Sequence, residues 1–348
     1  MVVENRKLVV WTKQAASEFG LRPVLAKHRL HELDLFSDSA LLELFDTYPR
    51  DQMQAFTMGL NPTSRYEWQP VDTTGASGKD LFDAVNHGRL WFHFFRVQNF
   101  NALYRELLKQ LFAELSETCP TFQSFNQTGT LLISSPNALV YYHADALPNL
   151  LWHIRGSKRV WVYPAGDRDL VNQELMEDIF ASYTDEEVPY ERRFDEKATV
   201  FELMPGEVLS WPQNAPHRVT NLSGINISLS TVYETEESYR RKLVYCSNRF
   251  LRRSYRLPLW SIKEGGIASY LKRFAYRGIR RAGLVETPRR RAYLSKLRID
   301  PSTPNGVSEI PDGPVLTEFS KGAFTLSKNA LGQASAVPIN SPNGRAAT

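Results

Sequence analysis

The sequence feature that most restricts how this chain can fold is a pair of ligand-type residues, His143 and Asp145, completed by a distant histidine, His217, in Asn214-Ala215-Pro216-His217-Arg218. Residues two apart on an extended strand project to the same side. His143 and Asp145 can therefore reach one point from one strand end, and His217 has to come to that point from a facing strand. Two imidazoles and one carboxylate on one face suit a mononuclear ferrous ion and leave coordination positions open for further ligands.

The flanking segments read as short strands. Residues 130–135 form an apolar run that ends at the turn signal Pro136-Asn137, and residues 150–154 and 159–163 read as a hairpin whose turn is Arg155 to Lys158. Further on, Pro205-Gly206 opens a strand at 207–211, and Pro212 to Pro216 reads as the loop that delivers His217. Residues 224–233 alternate apolar and polar, as a half-buried antiparallel strand does. Short antiparallel strands with ligands at their ends describe a double-sheet jelly roll. The expected fold class is mainly β, a double-stranded β-helix core with N-terminal and C-terminal helical additions.

Over residues 130–233, roughly a third of the chain, the pattern resembles the JmjC-type, cupin-like family of iron(II)- and 2-oxoglutarate-dependent oxygenases, nearest its protein asparaginyl hydroxylase branch. The resemblance implies His143, Asp145 and His217 as metal ligands that carry the catalysis. It implies Lys158, in the Gly156-Ser157-Lys158 turn, as the cation for the distal carboxylate of 2-oxoglutarate. Asn149, six positions after the first histidine, and Ser230, near the keto-acid end, complete the implied cosubstrate site. The implied cofactor and cosubstrates are Fe(II), 2-oxoglutarate and dioxygen. The residues themselves agree in part: Lys158 shares strand parity with Val160, and a dicarboxylate chelating iron at one end needs a cation at the other. Arg155 and Arg159 compete for that role, since a guanidinium offers a bidentate fork. The chain departs from the family where a threonine donor often stands, because Val140 occupies that position. A second donor is then expected from Tyr141, Trp91 or His93.

The chain has 348 residues, 42% of them hydrophobic, enough for one elaborated domain with appendages. Four parts are expected: a helical and irregular shell at 1–120, the jelly-roll core at 121–236, a basic helical arm at 237–299, and a mostly disordered tail at 300–348, where Pro, Ser, Gly, Asn and Ala dominate. Residues 38–45 have a capped helix start and 102–112 have helical apolar spacing, whereas 75–80 reads as a flexible loop. The insert at 167–197 is rich in Asp and Glu and is expected to form one side of the site entrance, where its acidity would suit a cationic substrate or simply face solvent. Two cysteines give no disulfide framework, the first thirty residues lack the apolar run of a signal peptide, and no stretch is long and apolar enough to span a membrane, so the expected location is cytoplasmic.

Residues 239–298 hold 18 Lys or Arg against Glu264 and Glu286, a net +16 within a chain of net +4. The arm therefore suits three roles: a helical bundle packed on the barrel or on a second subunit, a homodimer contact that the resemblance also implies; an anionic membrane surface or acidic carrier protein; or nucleic acid. The function expected is an iron(II)- and 2-oxoglutarate-dependent dioxygenase that hydroxylates a peptide, protein side chain or small molecule and releases succinate and carbon dioxide. The alternative from another class is a non-oxidative cupin-like binding protein that acts through its basic arm.

Overall fold

The computed structural model describes residues 6–63, 67–184, 186, 188–258, 261–285 and 292–318. In chain order the elements are β1 (Val9–Val10), α1 (Lys13–Glu18), β2 (Val24–His28), α2 (Asp38–Thr47), β3 (Met53–Thr57), β4 (Gln69–Asp72), α3 (Gly78–His87), β5 (Leu90–Phe94), α4 (Val97–Phe100) and α5 (Ala102–Thr118). There follow β6 (Phe125–Ser134), β7 (Leu139–His143), β8 (Asn149–Val162), α6 (Gln173–Phe180), β9 (Thr199–Leu203), β10 (Glu207–Ser210) and β11 (His217–Glu234). The chain continues through α7 (Glu236–Tyr255), α8 (Ile267–Arg281), β12 (Ala292–Ser295), β13 (Leu297–Ile299), β14 (Val307–Glu309) and β15 (Val315–Glu318).

Two long strands organise the core. The first half of β8 pairs with β10 and its second half with β9; β11 pairs with β7 near His217 and with β6 from Asn226 onward. The two strands also pair with each other, with register shifts between Asn221 and Ser228. Each strand therefore crosses from one sheet to the other, which gives the two facing layers of a jelly roll. The larger layer runs β1-β2-β10-β8-β11-β6-β5-β3-β4. Gly156 marks the crossing on β8: its φ is +78°, and a Cβ there would come within 2.6 Å of the Ile225 carbonyl oxygen. The expected hairpin at Arg155 to Lys158 is thus corrected to one continuous, bent strand. Its two halves find different partners rather than each other.

The helices cover the outside. In α2 the Ser37 hydroxyl caps the first turn and Leu41, Leu44 and Phe45 are buried; in α5 the Asn101 side chain caps, and Tyr104, Leu108, Leu111 and Leu115 face the sheet. The loop expected over 75–80 instead closes into the start of α3, because Ser77 and Asp80 form a reciprocal capping box. The expected disordered tail is ordered over 300–318: β14 pairs with β13, and β13 adds in parallel to β4. Leu297, Ile299 and Val307 pack against the main core, and this anchors a segment of otherwise polar composition. The rest of that tail, 319–348, lies outside the described residues. Among the described residues no helix is long and apolar enough to cross a membrane.

The acidic insert and the basic arm meet each other. α6 lies within the insert, and Arg249 pairs with Asp178 at 2.7 Å, Arg252 with Glu177 at 2.9 Å and with Glu174 at 3.0 Å. Glu177 is fully buried, so Arg252 neutralises a carboxylate that cannot reach water.

Two buried histidines brace the larger sheet in single neutral tautomers. His28 donates from Nε2 to the His153 carbonyl oxygen at 3.0 Å and accepts the Leu30 N–H at 2.9 Å. His153 donates from Nε2 to the Gly156 carbonyl oxygen and accepts from the Ser228 hydroxyl, each at 3.0 Å. Burial pulls His28 down to about 3 and His153 to about 2. Below the ordinary imidazole value of about 6.5 the unfolded chain takes up protons that the folded chain refuses, so this stability is complete above that pH and is lost as pH falls below it. Urea unfolding is expected to show stability dropping by about 1.4 kcal/mol per pH unit for each histidine below about pH 6.5. A His28→Gln variant is expected to have a shallower slope.

Candidate metal centre

His143 closes β7, His217 opens β11, and the two stand directly opposite each other in the antiparallel ladder. Their ring centroids are 4.0 Å apart. Asp145 follows just beyond the end of β7 with its Oδ1 3.7 Å from His143 Nε2 and its Oδ2 3.6 Å from His217 Nε2. One ligand atom from each of the three lies within 4.8 Å of the other two. The loop before His217 is fastened to the turn that carries Asp145: Asn214 Nδ2 donates to the Asp145 carbonyl oxygen at 2.7 Å, and Gln213 Nε2 to that of Ala146 at 2.8 Å. Glu186, in the acidic insert, closes over the same turn, accepting the Ala144 N–H on its carbonyl and the Ala146 N–H on its carboxylate, each at 2.8 Å.

Both imidazoles are oriented by the same local device. Nδ1 of His143 donates to the Tyr141 carbonyl oxygen at 2.8 Å, and Nδ1 of His217 to that of Ala215 at 3.1 Å. Each Nε2 is then a free lone pair aimed toward Asp145. Burial draws His217 down to about 3, so at neutral pH it is uncharged and its approach to Asp145 is not an ion pair. Two imidazole nitrogens and a buried carboxylate that meets no Lys or Arg among the described residues form a donor set short of one cation. That chemistry fits a divalent first-row metal such as iron(II).

The other sequence-derived residues converge on the same cavity of about 160 Å³, which Asn149, Lys158, Ser230, Val140, Trp91 and His93 all help to line. Ser230 Oγ donates to Asn149 Oδ1 at 3.0 Å, and Asn149 Nδ2 donates to Asp145 Oδ2 at 3.2 Å, a relay that ends on the carboxylate ligand. Lys158 is 5% exposed, and burial pushes its ammonium down to about 7. Among the described residues none gives it a hydrogen bond or a carboxylate partner. Its competitors point away: Arg155 pairs with Asp38 at the surface, and Arg159 with Glu202. Tyr141 turns into a separate apolar cluster, its ring 5.2 Å from that of Trp68, and does not line the cavity.

Ser134, Asn221, Trp211 and Glu186 are among the lining residues that were not singled out in the sequence. Ser134 and Asn221 are joined by a 2.8 Å hydrogen bond, and Asn221 stands opposite Lys158 in the ladder. Asn221 shares strand parity with His217 within β11, and that spacing was the available signal. Trp211 lays its ring 4.2 Å from that of His217, and an aromatic just before the ligand loop could have suggested it. Glu186 belongs to the acidic insert expected at the site entrance, and the insert has no periodicity that singles it out.

Residues 72–239 match the family model of the cupin-like domain. Among solved structures the chain is similar to Escherichia coli YcfD, at 14% identity over 81% of this chain and 70% of that one, with a TM-score of 0.48. A form of YcfD described as a ribosomal oxygenase in complex with cobalt and 2-oxoglutarate aligns at 14% identity over 81% and 69% of the two chains, with a TM-score of 0.46. The form with cobalt and succinic acid aligns at 15% identity over the same shares, with a TM-score of 0.47. No curated protein matches the chain. The structural likenesses are too loose to bear on chemistry, and the site stands on its own residues.

Replacing Asn149 with Leu removes the amide that holds Asp145 while keeping side-chain volume. Calorimetric titration with iron(II) or cobalt(II) is expected to show affinity lowered about ten- to a hundredfold, the usual effect of losing a hydrogen bond onto a ligand. Ser230→Ala is expected to do less.

Proposed function

We propose that the cupin-like domain is an iron(II)- and 2-oxoglutarate-dependent dioxygenase that hydroxylates a peptide, a protein side chain or a small molecule, releasing succinate and carbon dioxide. The observation that carries this reading is the buried ammonium of Lys158, without a carboxylate partner among the described residues, in the same cavity as a carboxylate and two imidazoles. A buried cation without a counter-charge is costly, and a dianionic ligand would relieve it. A molecule with a chelating keto-acid end and a second carboxylate matches both ends of the cavity.

In this reading His143, Asp145 and His217 hold the metal, and Asn149 and Ser230 fix the rotamer of Asp145. Bound iron(II), with 2-oxoglutarate and dioxygen, supplies the oxidative decarboxylation that places an oxygen atom on an unactivated substrate C–H bond. Lys158 receives the distal carboxylate as a point charge. Because Val140 offers no hydrogen bond, the second donor to that carboxylate falls to the Ser134 hydroxyl: it accepts from Asn221 and keeps its own proton to give. Leu132, Leu151, Val160 and Val219 wall the cavity or back its wall and keep water from the reacting atoms. Trp211 holds the His217 ring in place. Substrate would enter along a second cavity of about 980 Å³, lined by Trp211 to Asn214 and by Asp167, Arg168 and Arg241. That volume suits an extended segment as well as a small molecule. The two cysteines described, Cys119 and Cys246, are free and buried, in keeping with the cytoplasm.

Anaerobic titration with iron(II) and then 2-oxoglutarate is expected to produce a visible charge-transfer band. Asp145→Ala is expected to lose the metal and the band. Lys158→Ala is expected to keep metal affinity and bind 2-oxoglutarate about ten- to a hundredfold more weakly, the loss of one charge-assisted hydrogen bond. Substrate-dependent succinate formation retained in Asp145→Ala would sink the assignment. Metal binding with no response to 2-oxoglutarate would turn the reading to a non-oxidative binding protein.

A further inference from the structure

α8 displays the wrong face. Its buried positions are Ser269 and Tyr276, which lie on the side turned to the fold, and the Tyr276 ring packs 6.4 Å from that of Phe250 in α7. Ile267, Tyr270, Leu271 and Phe274 are 81%, 60%, 58% and 67% exposed. Their spacing puts them on one stripe, diametrically opposite the buried pair. A helix packed on a globular fold normally turns such a stripe inward, and four large apolar side chains side by side exceed the scattered exposure of an ordinary surface.

One edge of the stripe is basic. Arg273, Arg277 and Arg281 recur every four residues, and α8 contains no acidic residue. None of the three arginines meets a carboxylate among the described residues. Arg277 lies 5.4 Å from the Tyr239 ring, and Arg273 reaches only the Ser269 carbonyl oxygen, at 3.4 Å. The contrast with α7 is direct, since Arg249 and Arg252 there are committed to Asp178 and Glu177. The one acid just ahead of α8, Glu264, is paired with Arg241 at 2.6 Å.

We propose that the outward face of α8 docks on an anionic lipid bilayer, with the four apolar side chains at headgroup depth and the arginine row on lipid phosphates. An interfacial helix needs both an apolar face and a cationic flank, and α8 has both. Charge complementarity selects this occupant. A two-fold contact with a second copy would set the same stripe against itself and bring two arginine rows together with no carboxylate on either helix. Nucleic acid would use the arginines and leave the apolar stripe in water. Lipid satisfies both parts of the surface. Docking of this kind needs no membrane-crossing helix, and it is independent of the chemistry proposed for the metal site.

The test uses the full chain in co-sedimentation with phosphatidylglycerol–phosphatidylcholine vesicles and with pure phosphatidylcholine vesicles. Binding to the mixed vesicles is expected, with marked weakening on the neutral ones. The triple variant Arg273→Gln, Arg277→Gln and Arg281→Gln is expected to bind the mixed vesicles about a hundredfold more weakly. The double variant Leu271→Asp and Phe274→Asp is expected to lose vesicle binding. Leu271, Phe274, Arg277 and Arg281 are exposed and the half-buried Arg273 has no ion pair among the described residues, so the thermal melt and the iron(II) and 2-oxoglutarate titrations are expected to stay unchanged, which separates failure here from failure of the enzymatic reading. No binding to the mixed vesicles at low salt, or equal binding to both kinds, overturns the proposal. So does a lipid-independent dimer in sedimentation equilibrium that the double variant dissociates, or binding to duplex DNA or RNA that outcompetes the vesicles and survives the double variant.

Discussion

The pairing of His217 with His143 across one ladder is the constraint on which the rest of the site depends. A metal centre built from residues distant in sequence needs two strand ends held at fixed register, and an antiparallel ladder sets that register through its hydrogen bonds. The ladder exists because β11 crosses from one sheet to the other. β8 can follow it only by bending at Gly156, where any side chain would strike the Ile225 carbonyl. Asn214 and Gln213 then lock the loop to the Asp145 turn, so the third ligand is fixed by hydrogen bonds and not by packing alone.

Two electrostatic demands coexist in the small cavity, and folding satisfies neither. At one end a buried carboxylate faces two imidazoles whose Nδ1 protons are given to backbone carbonyls; at the other, the buried Lys158 side chain lines the same cavity as Leu151, Val140 and Val219. A protein selected for stability alone would place these charges against each other or replace them with apolar groups. Their separation leaves a space with a cation-seeking end and an anion-seeking end. This is the strongest physical sign that the cavity is shaped for a ligand, and it needs no comparison with any other protein.

Much of this was legible in the sequence, and the parts that were not share a cause. The two-residue spacing of His143 and Asp145, the Pro212 to Pro216 loop and the alternation over 224–233 are local signals, and local structure follows them. Gly156 was read as a hairpin turn because a turn and a strand kink ask the same thing of a glycine, a positive φ; only the distant partners β9 and β10 decide between them. Lys158 was preferred over Arg155 and Arg159 by the resemblance alone, and residue chemistry gained a say only once Asp38 and Glu202 were seen to pair with the two arginines. The composition of 300–318 resembles that of a free tail, yet Leu297, Ile299 and Val307 suffice to pin it to the edge of the sheet. In each case the deciding contact comes from far along the chain.

Net charge was the least informative quantity, for a related reason. The +16 of residues 239–298 describes no single surface. The arginines on the α6 side of α7 are consumed by the acidic insert, where Glu177 is fully buried and its partner Arg252 partly so, and they are therefore part of the fold's own electrostatic closure. The charge on α8 is of another kind: it lines an apolar stripe instead of an acidic one. Two helices adjacent in sequence and similar in composition are thus separated by what faces them: α7 arginines pair with the carboxylates of α6, whereas Arg273, Arg277 and Arg281 of α8 meet no carboxylate among the described residues. A chain of this charge distribution has one basic helix that holds the structure together and a second that the structure leaves available.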